Sequence, residues 1–124
     1  MYSPHLMLDG YGCDRAKLED FEFLTTMLAD LASELGLSPL KAPYVFRYAG
    51  KTTEDGGLSG LVLLEGGRLS IHSFPEKSFL SLDLFCRASF DTETAERFIV
   101  ARLGATNVEK SVLMRDRSPS GDAP

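Results

Sequence analysis

The sequence predicts an α+β fold, one layer of sheet with two helices on one face, and three observations carry that expectation. Two segments, 20–36 and 91–104, place apolar residues at three- and four-residue steps between a capping aspartate and a terminal glycine. Several short runs outside them have strand composition or alternation. The order strand, helix, several strands, helix, strand suits a sheet that packs helices against one side.

The first strand spans 5–11 and turns at Gly12. In the first helix, capped by Asp20, residues Phe21, Leu24, Leu28, Leu31 and Leu35 form a core-facing stripe that stops at Gly36. A strand over 42–48 follows Ser38-Pro39, and 50–57 is a polar, glycine-bearing loop expected to be mobile. Strands at 61–64 and 69–74 flank Glu65-Gly66-Gly67-Arg68, where the glycines suit a tight hairpin turn. A further strand, 79–85, follows the Pro75-Glu76-Lys77 break. Asp91 caps the second helix, whose Ala95, Phe98, Ile99 and Leu103 make an apolar side ending at Gly104. A closing strand spans 108–114, and 117–124, with prolines, serines and no large apolar residue, reads as a disordered tail after a single domain over 1–116.

Composition limits the possible roles. With 124 residues the chain suits one domain and one modest core. Its net charge of −5, with scattered Lys and Arg, argues against nucleic acid or an anionic membrane as partner. Apolar runs are too short to span a bilayer, and Tyr2-Ser3-Pro4 leads into a strand rather than a signal sequence, so a cytoplasmic location is expected. Cys13 and Cys86 lie 73 positions apart without metal-ligand spacing, which predicts two free thiols and no metal site.

Alternation along 69–74 puts Leu69, Ile71 and Ser73 on one side and Ser70, His72 and Phe74 on the other. A face carrying polar and aromatic groups meets solvent, a ligand or a second subunit. Histidine exchanges protons near neutral pH, and His72 is one of two in the chain. Cys86 is a candidate proton donor or a small core residue, Glu76 a candidate acceptor for a hydroxyl or cation, and Phe74 and Tyr48 are rings that stack on a flat ligand or pack internally. The residues by themselves name no reaction.

Longer segments carry more. HLMLDGYGCD at 5–14, LSGLVLL at 58–64, RLSIHSFPE at 68–76 and LSLDLFC at 80–86 resemble, in order and spacing, the bacterial S-adenosylmethionine decarboxylases, over roughly residues 5–114. The resemblance implies that family's fold, a sheet with two helices on one face, dimerising as an α-β-β-α sandwich. It also implies pyruvoyl-dependent decarboxylation feeding spermidine synthesis, in which a serine hydroxyl attacks the preceding carbonyl and the cleaved chain gains a carbonyl electron sink. Carried over by position, Ser59 and His72 match residues that assist self-cleavage, Phe74 and Glu76 match substrate contacts, and Tyr48 matches an adenine-stacking aromatic. Cys86 matches the proton-donating cysteine one residue early, with Arg87 at the expected place, and the 50–57 loop is longer than the family's usual connection.

One departure governs the functional expectation. Gly66-Gly67 stands where the family has Glu-Ser, so position 67 has no hydroxyl to attack and no β-substituent to eliminate. Ser70 points to the opposite face from position 67. The expected cofactor is therefore none. The chain is expected to bind S-adenosylmethionine or a related small molecule uncleaved, as a homodimer or with an active relative. The alternatives are an enzyme whose pyruvoyl-independent chemistry uses His72 and Cys86, and a structural or interaction dimer with no ligand.

Overall fold

The structure, a computed structural model, describes residues 2–116, so the expected tail at 117–124 lies outside the described residues. Strands β1 (Tyr2–Tyr11), β2 (Tyr44–Tyr48), β3 (Gly57–Leu64), β4 (Gly67–Phe74), β5 (Phe79–Cys86) and β6 (Asn107–Asp116) form one sheet in the order β2-β3-β4-β5-β1-β6. Every neighbouring pair is antiparallel. Helix α1 (Arg15–Leu18) is a single turn, and α2 (Phe21–Glu34) and α3 (Thr92–Leu103) are the two amphipathic helices.

The helices begin where their aspartates satisfy otherwise unpaired N–H groups. Asp20 accepts from Phe23 N at 3.0 Å, and Asp91 accepts from Glu93 N at 3.0 Å. Leu24, Leu28 and Leu31 of α2 and Ala95, Ile99 and Leu103 of α3 are fully buried. Phe21 departs from the expected stripe and is 43% exposed, while Met27 is fully buried instead. Phe21 is the first residue of its helix, and the core contact begins with the next turn.

Strand alternation sorts the sheet into two faces. Leu6 and Leu8 of β1, Leu58 and Val62 of β3, Leu69 and Ile71 of β4, and Leu80, Leu82 and Leu84 of β5 build the core beneath the helices. The opposite face has no covering element among the described residues, and it carries the polar and aromatic residues described below. Ser73, on the core side, is fully buried because its hydroxyl donates to Leu18 O at 2.9 Å and accepts from Leu58 N at 3.1 Å. Ser73→Ala leaves both backbone groups unpaired and is expected to cost about 2 kcal/mol. A urea melt checks this: a midpoint shift without a change in slope is expected, and an unchanged midpoint would contradict the role given to Ser73.

The sheet extends further than its sequence segments. β1 runs back to Tyr2 because β6 pairs with it along its whole length, from Tyr2 opposite Asp116 to Tyr11 opposite Asn107. The hairpin between β3 and β4 is tighter than the four-residue turn expected. Only Glu65 and Gly66 lie outside the strands, with Gly66 at φ +80°, and Gly67 already pairs with Cys86.

Candidate ligand-binding site

The open face is built upward from β3 and β4. Ser59 and His72 are direct cross-strand partners, and the Ser59 hydroxyl and His72 Nδ1 are hydrogen-bonded at 2.8 Å. Ser59 is buried and His72 exposed, so a buried hydroxyl orients a histidine ring toward the open side. Phe46 of β2 stands opposite Ser59, and Ser81 of β5 stands opposite His72.

One row further along the strands the face becomes aromatic. Phe74 pairs with Phe79, their rings 5.7 Å apart, and Tyr11 lies 5.1 Å from Phe79. Beyond them the chain turns through Pro75–Lys77, a 3₁₀ turn, and Ser78 at φ +50°. That turn brings Glu76 to the rim of a cavity of about 330 Å³ that Tyr48, Arg47, Glu19 and Thr53 also line. The volume lies at the lower end for small-molecule pockets. Glu76 Oε1 accepts from Arg15 Nη2 at 2.6 Å, and Arg47 Nη2 donates to Glu19 O at 3.2 Å.

Tyr48, half-buried, and Glu76 line the same cavity, and an aromatic residue together with a carboxylate is complementary to a flat ring carrying hydroxyl donors. The loop over the cavity is braced by Asp55, which accepts from Lys77 Nζ at 3.2 Å and from the Thr52 hydroxyl at 3.1 Å. The Lys77 hydrogen bond, then that of Thr52, holds the Asp55 carboxyl below its usual range.

The expected site residues thus fall into groups. Ser59 meets His72, Tyr48 meets Glu76 in the cavity, and Phe74 joins the aromatic row between them. Cys86 joins none of these. Its side chain lies on the core side with Leu80, Leu82 and Leu84, is 1% exposed, and its Sγ donates to Glu65 O at 3.4 Å. The physical reason is the period-two alternation of a strand: a cysteine one residue early in β5 points through the sheet to the other face. Cys13 is likewise a buried free thiol, and burial raises its pKa.

The hairpin end is tightly packed around position 67. A Cβ on Gly67 would lie 2.1 Å from Phe85 O and 2.5 Å from Cys86 Cα, inside the backbone of the neighbouring strand. A side chain at position 67 would therefore require the backbone of β5 to move. Among the described residues, no group of three or more His, Cys, Asp or Glu side chains is disposed to hold a metal ion, and no helix is long and apolar enough to cross a membrane.

Sequence reasoning missed a second histidine contact. His5 Nε2 meets Asp83 Oδ1 on the open face, with the His5 ring edge-on to Phe85. It also missed Arg15, Glu19 and Arg47 at the cavity. Arg15 and Glu76 are 61 positions apart and His5 and Asp83 are 78 apart, separations at which no local pattern operates.

Comparison with known proteins points in one direction. Residues 4–116 match the family model described as S-adenosylmethionine decarboxylase. The S-adenosylmethionine decarboxylase proenzyme of Anoxybacillus flavithermus is 31% identical over 115 residues, covering 93% of this chain and 88% of the relative. That of Prochlorococcus marinus is 35% identical over 108 residues, covering 86% and 82%. In three dimensions, the adenosylmethionine decarboxylase of Aquifex aeolicus aligns with a TM-score of 0.75 over 98% of this chain and 96% of the other, at 22% identity, a likeness of fold.

Proposed function

Because the chain belongs to the S-adenosylmethionine decarboxylase family, yet has glycine at position 67, we propose that it binds S-adenosylmethionine or a related ligand as one uncleaved chain, without a pyruvoyl group. Its biological setting is polyamine biosynthesis, the spermidine branch that its relatives' chemistry feeds. The observation that carries this function is the fit of Gly67 against the Phe85 carbonyl, which leaves no room for a nucleophilic side chain.

Support for the ligand comes from Tyr48 and Glu76 in one cavity, a ring face and an acceptor suited to a nucleoside's base and sugar hydroxyls. Arg15 holds the Glu76 carboxylate in place, leaving its second oxygen to accept from the ligand. The Ser59–His72 pair and Phe74, on the open face of β3 and β4, contribute polar and stacking contacts for the remainder of the ligand.

The pyruvoyl-independent enzyme built on His72 and Cys86 draws no support from this arrangement, since the thiol and the imidazole lie on opposite sides of the sheet. A homodimer is part of the proposal. Tyr44, Phe46 and Leu63 at one edge of the open face and Leu113 at the other are exposed large apolar residues that a facing second copy would cover.

Intact mass spectrometry of the purified full chain tests the processing state. A single species near 13.6 kDa is expected, and a shorter chain beginning at position 67 with a blocked amino end would overturn the proposal. Titration calorimetry with S-adenosylmethionine tests the ligand. Saturable heat and a rise in melting temperature are expected, and neither at millimolar ligand would remove it.

A further inference from the structure

We propose that the loop over 50–56 is a latch on the candidate ligand cavity, fastened by Asp55 to Lys77, and that these two are positioning residues that set how long a ligand stays bound. This rests on the ligand reading above and adds a control of that site by ionic strength.

Nothing holds the loop down by burial. Gly50-Lys51-Thr52-Thr53-Glu54-Asp55-Gly56 contains no large apolar side chain, and residues 51–54 are exposed. The loop nonetheless has a defined shape. Its ends are fixed by the pairing of Tyr48 with Gly57. Its tip is braced from within: Asp55 N donates to Thr52 O at 3.1 Å, the Thr52 hydroxyl donates to Asp55 Oδ2 at 3.1 Å, and Thr53–Asp55 form a 3₁₀ turn. Gly50 lies so close to that turn that a Cβ on it would stand 2.5 Å from the carbonyl carbon of Asp55. The tip is thus a small rigid unit on a narrow neck.

The Pro75–Lys77 turn faces it as a fixed jaw. A Cβ on Gly57 would lie 3.1 Å from Pro75 Cδ, so the turn packs directly on the start of β3. Arg15 Nη2 donates to Glu76 Oε1 at 2.6 Å, and the adjacent Lys77 Nζ donates to Asp55 Oδ1 at 3.2 Å. Among the described residues, the Lys77–Asp55 contact is the one hydrogen bond or ion pair that joins a side chain of the loop to another element. Both jaws line the same cavity, Thr53 and Gly56 from the loop and Pro75 and Glu76 from the turn.

The strength of the fastening follows from its exposure. The Lys77 and Asp55 side chains are 49% and 47% exposed, and ion pairs of that kind are individually weak and screened by salt. A wall held by one such pair, without apolar burial, opens at low cost. A ligand that touches the loop and Glu76 together binds the closed arrangement better than the open one, so latch and ligand stabilise each other. Opening admits the ligand and closure retains it.

Surface plasmon resonance with the full-length chain and S-adenosylmethionine tests the latch. Asp55→Asn and Lys77→Gln should each speed dissociation by about threefold, with association within about twofold of the wild type. The double variant D55N/K77Q should match the single variants, because either change removes the same pair. Gly50→Ala, whose Cβ pushes the tip away, should speed dissociation as much without altering a charge. Raising sodium chloride from about 50 to about 500 mM should speed dissociation from the wild type more than from the double variant. Melting temperatures should match the wild type, and bound ligand should slow amide hydrogen exchange over 50–57 in the wild type more than in Asp55→Asn. A wild type that binds, with dissociation unchanged in every variant, would overturn the latch and leave the ligand reading standing. Losses that multiply in D55N/K77Q would also overturn it, since the two residues would then act separately. No binding to the wild type at millimolar ligand would sink the ligand reading, and the latch with it.

Discussion

Gly67→Ser is expected to destabilise the protein by about 3 kcal/mol and to leave it uncleaved. The new Cβ meets Phe85 O at 2.1 Å and Cys86 Cα at 2.5 Å, so it collides with strand backbone rather than with a side chain able to turn away. Relief requires β4 and β5 to part at the hairpin, where Gly67 pairs with Cys86 and Arg87 N donates to Gly66 O at 3.0 Å. A melting temperature lowered by roughly 10 °C is the expected readout. Gly67→Ala separates the causes: it carries the same Cβ and no hydroxyl, so it should lose as much stability. A stable Gly67→Ser variant that splits into two chains would show that the hairpin opens freely and that the missing hydroxyl alone blocks processing.

The second large effect concerns the cavity. Tyr48→Ala and Glu76→Gln should each weaken S-adenosylmethionine binding by about tenfold, the first through lost stacking and the second through a lost charged acceptor. Measured by calorimetry, the double variant should lose up to about a hundredfold, less if the two contacts depend on each other, as neighbours in one cavity commonly do. Cys86→Ala should leave affinity within about twofold, because the thiol points into the core. Unchanged affinity in the Tyr48 and Glu76 variants would move the ligand elsewhere on the sheet. A large loss in Cys86→Ala with stability intact would return the thiol to the site.

Much of the architecture was legible because it is locally encoded. Asp20 and Asp91 mark helix starts by capping chemistry that needs only the next few residues, and both do so in the structure. Alternation separated Leu69, Ile71 and Ser73 from Ser70, His72 and Phe74, and the sheet keeps that division. The family followed from segment order, and the match over residues 4–116 agrees with it. Phe21 was misplaced because periodicity defines a stripe but not where the neighbouring surface ends.

By itself, then, the sequence determined the two helices, the faces of the strands, the family and the absence of a hydroxyl at position 67. Tertiary structure alone decided that β5 closes flush on Gly67, that Cys86 stands on the core side, that Arg15 holds Glu76 and His5 meets Asp83, and that Asp9 faces Glu109 across two strands. The division has a physical basis. Caps, turns and alternation are set by backbone geometry within a few residues, whereas strand register and side-chain pairing depend on which distant segments share the core, and a shift of one residue reverses a side chain's face.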